Sequence, residues 1–322
     1  MLNFAILGTG VVAGRSLAPA LAATPGARLW SVYSRDAARA HSFAERHGAA
    51  APRAAFTDIN DLLKDPELHA LIVATPDRLH ADQAVQAAMA GKHVFTEKPM
   101  AHDVESARAM VQACRTAGVR LGVAYHLRWH AGHRALIERI HQGALGPLRH
   151  VRAQWTYRVD DGQNWRAHNE VGRWWSLAGT GTHLIDLVRW TLLRSEGEVV
   201  GLRSLVTRSV WKGPHDETAI ISLLFASGAT AEIVTSVLFD SPNRFEVCGA
   251  VGSAICEGTL GPHGGGKILI DKTQLEYVPA NPYVGELQDF VAAVNENRDP
   301  EVPGEEGLRN VEILVGACPE PQ

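Results

Sequence analysis

The segment Gly8-Thr9-Gly10-Val11-Val12-Ala13 constrains the fold more than any other stretch of the chain. It follows an apolar run at residues 3–7 directly and opens a helical pattern over 12–22, so a strand must turn sharply into a helix there. Gly8 permits the tight turn, Gly10 lets backbone approach a pyrophosphate, and Ala13 lets helix and strand pack closely. The unpaired amides of the helix start, Val11 and Val12 among them, face the phosphate charge. A dinucleotide site is expected at this turn.

The first 124 residues repeat this alternation. Strands are expected at 3–7, 28–33, 70–74, 93–95 and 119–123, and helices at 12–22, 36–47, 59–63, 79–90 and 104–117. Gly48, Gly91 and Gly118 each follow a helical pattern, where a left-handed residue satisfies the last carbonyls. Asp103 is placed to cap the helix that follows it. Strand–helix alternation predicts a Rossmann-type parallel sheet covered on both faces. After Ala124 the texture changes. Helices at 131–142 and 182–193 stand among strand-like runs at 148–157, 199–209, 217–225, 230–237, 243–249 and 253–257. The runs are separated by turn signals such as Ser241-Pro242 and the glycine-rich stretch 261–266. Helices at 285–295 and 305–315 close the chain. Strands in series predict a second α/β domain, residues 125–322, around a large open and mostly antiparallel sheet.

At 322 residues the chain suits two domains. A net charge of −4 argues against nucleic acid or an anionic membrane as partner. No apolar run approaches the roughly 20 residues that cross a bilayer, and the start MLNFAILGTG reads as a strand rather than a leader. A cytoplasmic location is expected. The four cysteines lie far apart, without a C-x-x-C pair, and Cys114 falls on the apolar stripe of its helix.

The end of the second strand reads Tyr33-Ser34-Arg35-Asp36, with Arg39 a turn later. An acidic residue there bonds a ribose 2′-hydroxyl, whereas serine and a cation suit a 2′-phosphate. Asp36 is expected to cap the helix, leaving Ser34, Arg35 and Arg39 to favour NADP over NAD. Two further segments fall at strand ends: Thr75-Pro76-Asp77-Arg78-Leu79-His80 and Glu97-Lys98-Pro99. Ligands of open parallel sheets bind outside the carboxyl ends of the strands, so Thr75, Pro76, His80, Glu97 and Lys98 belong to the cofactor side.

With Gly181-Thr182-His183-Leu184-Ile185-Asp186, Tyr125…Arg128 and the late Glu306-Gly307-Leu308, these motifs resemble the glucose–fructose oxidoreductase / inositol dehydrogenase / MocA (Gfo/Idh/MocA) family over essentially the whole chain. The resemblance implies a Rossmann domain paired with an open-sheet domain, with the active site between them. It implies hydride transfer between a nicotinamide and a CH–OH or C=O group of a sugar, polyol or similar small molecule. Lys98 matches the lysine that handles the substrate oxygen and its proton, and His183 the histidine that hydrogen-bonds that oxygen. Trp165 and Arg166 resemble a pair that contacts the nicotinamide half of the cofactor. Arg128 and Asp186 are expected to touch substrate. The chemistry agrees with these roles, since hydride transfer at carbon requires a proton to leave or enter the attached oxygen.

One position departs from the family pattern. Most catalytic members carry an aspartate four residues before the histidine, where this chain has Gly179. Asp160, Asp161 or Glu170 stands in for it, Lys98 works with His183 alone, or catalysis is weak. Two other functions compete: a cofactor-binding sensor or repressor without turnover, and a glycosidase that uses bound NAD transiently. Among other candidates, Trp174, Trp175 and Trp190 read as core or interface, or as rings lining a polyol cleft. His126, His130 and His133 lack an acidic or cysteine companion, so no metal is expected. An exposed antiparallel sheet face predicts a homo-oligomer.

Overall fold

The computed structural model describes residues 1–160, 166 and 172–318. They divide into two compact units, 1–125 with 283–311 and 126–282 with 312–318. The first unit holds strands β1 (Leu2–Leu7), β2 (Ala27–Tyr33), β3 (Ala55–Phe56), β4 (Ala70–Val73), β5 (His93–Thr96) and β6 (Leu121–Val123), all parallel, in the order β3-β2-β1-β4-β5-β6. A π turn at Ala13–Leu17 runs into α1 (Ala18–Ala22); α2 (Ala37–Arg46), α3 (Ile59–Leu63), α4 (His80–Met89) and α5 (Val104–Ala117) follow in the connections. The helix ends follow the local chemistry. Gly48, Gly91 and Gly118 adopt φ of 67°, 71° and 68°, and Asp103 Oδ1 accepts from Ser106 N at 2.7 Å. Cys114 is buried on the stripe expected for it, and burial pushes its thiol up to about 12.

The first unit also claims a stretch that the sequence reading placed in the second domain. Helix α8 (Pro282–Glu296) packs Leu287, Phe290 and Val291 against Phe4, Ile6 and Phe95 of the first sheet. Its positions i, i+3 and i+4 form one apolar face. The Phe290 ring lies 5.3 Å from that of Phe95 and 6.2 Å from that of Phe4. Helical periodicity shows that such a face exists but not which sheet it will cover.

In the second unit α6 (Ala131–His141) and α7 (Thr182–Glu196) pack on one side of an eight-stranded sheet. Its strands are β7 (Leu148–Thr156), β8 (Val199–Thr207), β9 (Thr218–Phe225), β10 (Thr230–Ser236), β11 (Arg244–Gly249), β12 (Ser253–Glu257), β13 (Lys267–Ile270) and β14 (Thr273–Gln274), in the order β14-β13-β12-β11-β7-β10-β9-β8. Only β7 and β10 pair in parallel. Strict alternation along β9 buries Ala219, Ile221, Leu223 and Phe225 and leaves Ile220 and Leu224 exposed, which is why the sheet has one covered face. Helix α9 (Gly304–Ala317) closes the chain. Strands β3, β13 and β14 were not expected; β3 and β14 are two residues long, and β13 is a four-residue run directly after the glycine-rich stretch 261–266. No helix among the described residues is long and apolar enough to cross a membrane.

Candidate active site

The strand order reverses between β1 and β4, where a parallel sheet opens a crevice at its carboxyl edge. Gly8 follows β1, Thr75 follows β4 and Lys98 follows β5, on three neighbouring strands. At the usual spacing of strands these loops fall within about 10 Å of one another. The turn at Gly8 is sterically determined. Its φ is +96°, and a Cβ there would stand 2.4 Å from the Ala74 carbonyl oxygen, so β1 and β4 can leave the sheet side by side only with glycine. Gly8 N also donates to Tyr33 O at 2.9 Å, which ties the turn to the end of β2. At Gly10 a Cβ would meet nothing within 4 Å, and Val11 beside it is 70% exposed. An open backbone face at a helix start is what a pyrophosphate requires, so the residues present fit a dinucleotide.

The 2′-phosphate candidates stand between the end of β2 and the first turn of α2. Asp36 Oδ1 accepts from Arg39 N at 3.0 Å, capping α2, and Ser34 Oγ accepts from Asp36 N at 3.3 Å. The carboxylate is thus committed to the helix, while Arg35 and Arg39 stand exposed.

His80, expected to contact cofactor, is fully buried. Its Nε2 is 2.8 Å from Thr75 O and its Nδ1 3.0 Å from Pro99 O, so the ring is wedged between the loops after β4 and β5, and a neutral tautomer donates to one of the two carbonyls. Placed this way, the ring braces the two loops that carry Thr75 and Pro99. Thr75 Oγ1 donates to Gln83 Oε1 at 2.6 Å and braces the same loop. Glu97 is buried and accepts from Lys98 N at 3.1 Å, while the Lys98 side chain is half-buried and its bond to Pro99 is cis.

Behind Glu97 lies a group that sequence reasoning missed. Glu286 of α8 is buried, with no hydrogen-bond partner on either carboxyl oxygen. Burial, reinforced by the nearby Glu97 carboxylate, raises it well above the ordinary glutamate range of about 4.5, so it is held as the neutral acid. The unfolded chain releases this proton as pH rises above that ordinary value, whereas the folded chain keeps it. The stability the group contributes is therefore complete below about 4.5 and is lost as pH rises toward its folded value. Glu286→Gln removes this slope. Its melting temperature is expected to exceed wild type at pH 8 and to converge with it near pH 5; parallel curves would overturn the assignment.

In the second unit a π turn at Leu177–Gly181 leads into α7, and His183 is buried in the first turn. Hydrogen bonds and ring contacts together aim this segment. Asp216 accepts from Trp175 N and Leu177 N at 2.8 Å each and from Ser176 Oγ at 2.5 Å, capping the helix start from a distant loop. Burial raises its carboxyl, and these donors pull the other way. Thr180 Oγ1 donates to Trp155 O at 2.9 Å, fastening the π turn to β7. The Trp155 ring lies 5.6 Å from His183, and the His126 ring meets it edge-on at 4.7 Å.

Arg128 and Asp186, expected to touch substrate, are spent on each other. Arg128 Nε and Nη2 donate to the Asp186 carboxylate at 2.8 and 2.7 Å, with side chains 5% and 1% exposed. The bidentate pair anchors the segment His126–Trp129 to α7 three residues beyond His183. Asp160, offered as a stand-in for the carboxylate missing at 179, is exposed in an ion pair with Arg158. Trp165, Asp161 and Glu170 lie outside the described residues, whereas Arg166 is described and its charge favours ionisation of the Tyr157 phenol. Trp174 and Trp175 are buried core residues, and Trp190 packs against the same core. His130 caps α6 through Nδ1 and His133 reaches Thr259 Oγ1 at 2.9 Å. Burial drives His133 down to about 3. The described residues contain no cluster that could hold a metal ion.

Comparison with known proteins agrees with this layout. Residues 2–125 match the oxidoreductase family model with an NAD-binding Rossmann fold, and residues 133–255 match the Gfo/Idh/MocA C-terminal domain. The chain is 29% identical to 1,5-anhydro-D-fructose reductase of Ensifer adhaerens over 314 residues, 96% of this chain and 92% of that one. It is 30% identical to an inositol 2-dehydrogenase of Rubrobacter xylanophilus, covering 72% and 64% of the two chains. The aldose–aldose oxidoreductase of Caulobacter crescentus, solved with glycerol, superposes with a TM-score of 0.89 at 28% identity, covering 98% of this chain and 96% of that one. Two matched domains, the glycine turn and the layout of the strand-end loops make this chain a member of the Gfo/Idh/MocA family of NAD(P)-dependent oxidoreductases.

Proposed function

We propose that this oxidoreductase interconverts a CH–OH and a C=O group of a sugar, polyol or similar small molecule, with Lys98 as acid/base and His183 as the hydrogen-bonding partner of the reacting oxygen. The observation that carries the reading is the placement of Gly8, Thr75 and Lys98 after three adjacent strands at the switch point of the first sheet. When bound, the nicotinamide ring supplies or accepts the hydride. Lys98 takes the hydroxyl proton during oxidation and returns it to the carbonyl oxygen during reduction. Its backbone is held on one side by the Glu97 carboxylate and on the other by the His80 ring packed against Pro99 O, so the ammonium starts from a fixed base. His183, pinned through Thr180, Asp216 and the Arg128–Asp186 pair, presents its ring with little conformational freedom to lose.

NADP is the preferred cofactor in this reading, because Asp36 is engaged in its cap, Arg35 is exposed, and Arg39 is held only by an exposed 3.8 Å ion pair with Asp36 that a 2′-phosphate can displace. The anhydrofructose reductase, inositol dehydrogenase and aldose–aldose oxidoreductase relatives support a sugar-like substrate. The test is a screen of sugars and inositols with both cofactors, followed at the nicotinamide absorbance band. A net change is expected, with KM for NADP at least about tenfold below that for NAD, since a 2′-phosphate paired with arginine adds on the order of 1–3 kcal/mol. Equal constants would sink the preference. Binding without turnover would point to a sensor, and aglycone release without net absorbance change to a glycosidase.

The protein acts in the cytoplasm as a homo-oligomer in this proposal. Leu205 and Ile220 are paired across β8 and β9, and both side chains are exposed on the uncovered sheet face. A monomeric mass by light scattering would contradict the assembly.

A further inference from the structure

Gly179 lies in the π turn, four residues ahead of His183, and the space beside it is taken. A Cβ at this position would stand 2.8 Å from Tyr157 Oη, 3.4 Å from its Cε1 and 3.5 Å from its Cζ. The end of the phenol thus occupies the volume that any side chain at 179 would need. Tyr157 arrives there through strand alternation. Its N donates to Ser236 O at 3.0 Å, so the pairing of β7 with β10 continues one residue past the strand end. Val151, Ala153 and Trp155 face the helices on this strand, and Tyr157 is next in the same row. Trp155 packs beside His183, and residues 179 and 183 share a helix face. The phenol and the imidazole therefore meet the same face of α7 about one turn apart.

Tyr157 is half-buried and, among the described residues, no acceptor meets its hydroxyl, which stays open to water. Burial raises the phenol above its usual value of about 10, the Asp216 charge adds to this, and Arg166 opposes both. The group is thus a neutral donor at physiological pH. A donor met by water can exchange that water for a ligand oxygen at little cost.

We propose that Tyr157 is a substrate-binding residue, donating its hydroxyl hydrogen bond to an oxygen of the polyol or sugar held at His183, and that residue 179 is glycine to admit it. The proposal rests on the reading that His183 contacts substrate. The ligand class follows from the neighbours: a neutral donor beside the flat indole of Trp155 suits an uncharged polyhydroxy compound, whose C–H face packs on the ring.

The experiment is a double-mutant cycle of Tyr157→Phe and Gly179→Ala in the full chain loaded with NADP. Binding of D-glucose, myo-inositol and the best compound of the screen is followed by tryptophan fluorescence, and turnover by nicotinamide absorbance. Tyr157→Phe is expected to raise Kd and KM about tenfold, the scale of one neutral hydrogen bond, with kcat changed less than about threefold. Cofactor affinity and melting temperature should stay near wild type. Gly179→Ala should reproduce the loss by displacing the phenol, yet cause no further loss when combined with Tyr157→Phe. Unchanged Kd and KM in Tyr157→Phe, or losses that add independently in the double variant, overturn the proposal. If Tyr157→Phe does not fold, Gly179→Ala carries the same comparison. Binding by wild type without turnover removes the oxidoreductase reading and leaves Tyr157 to be judged on Kd. If wild type binds none of the compounds, the role of Tyr157 falls as well.

Discussion

Lys98→Met is expected to lower turnover by roughly 10²- to 10⁴-fold, the usual contribution of a positioned acid/base. Cofactor affinity should stay within about threefold of wild type. Methionine keeps an unbranched stem, so it removes the ammonium while filling much of the same space. The surrounding backbone does not depend on the side chain: Lys98 N is held by Glu97 Oε2, and Pro99 O lies against the buried His80 ring. The dinucleotide is assigned to the Gly8–Val12 turn, after a different strand, which is why its affinity should survive. Steady-state absorbance gives the first quantity, and titration of NADPH fluorescence the second. Undiminished turnover would refute the role of Lys98. Loss of cofactor binding together with turnover would instead place the ammonium on the dinucleotide.

The second large effect is expected at the turn. Gly8→Ala forces a β-carbon into φ +96° and to within 2.4 Å of the Ala74 carbonyl oxygen, which is backbone and cannot swing aside. The strain is on the order of 1–3 kcal/mol if the chain holds its course, and more if β1 and β4 must separate. NADP affinity should fall at least about 100-fold, because the amides that meet the pyrophosphate are aligned by this turn. Melting temperature should fall with it. Gly10→Ala separates the two causes. Its β-carbon meets nothing within 4 Å and its φ is not in the left-handed region, so stability should be unaffected while the added methyl crowds the open backbone face. Calorimetry and cofactor titration on both variants decide the matter. Wild-type affinity in Gly8→Ala would show that the pyrophosphate is held elsewhere.

The readable features were those whose cause is local. Asp36 and Asp103 cap the helices they precede, because a side-chain oxygen reaches amides two or three residues on. Gly48, Gly91 and Gly118 end helices in the left-handed conformation, because only a residue without Cβ adopts it freely. Five of the six strands of the first sheet stand within two residues of where apolar runs placed them, β3 being the exception. The candidate site was legible to the extent that its residues are strand ends: Gly8, Ser34, Thr75 and Lys98 each follow a run that had to be a strand.

Other assignments shifted when distant parts of the chain met. Arg128 and Asp186 looked like ligands because they are charged and follow the right motifs, but 58 residues apart in sequence they form one buried pair. His80 stood in a cleft motif, and only the approach of two loops shows that both its nitrogens are occupied by carbonyls. Glu286 and Asp216 carry no motif at all. Their roles arise from Glu97 and from the start of the π turn, 189 and 39 residues away.

By itself the sequence determined where strands turn into helices, which residues stand at the carboxyl ends of the first sheet, and that a dinucleotide can be met there. Those properties depend on φ preferences, side-chain period and neighbours within a few residues. Tertiary structure alone decided that α8 covers the first sheet, that the Arg128 and Asp186 charges cancel, and that a phenol fills the space beside Gly179. Each is a question of which partner a face or a charge finds, and that is settled by packing across long separations in the chain.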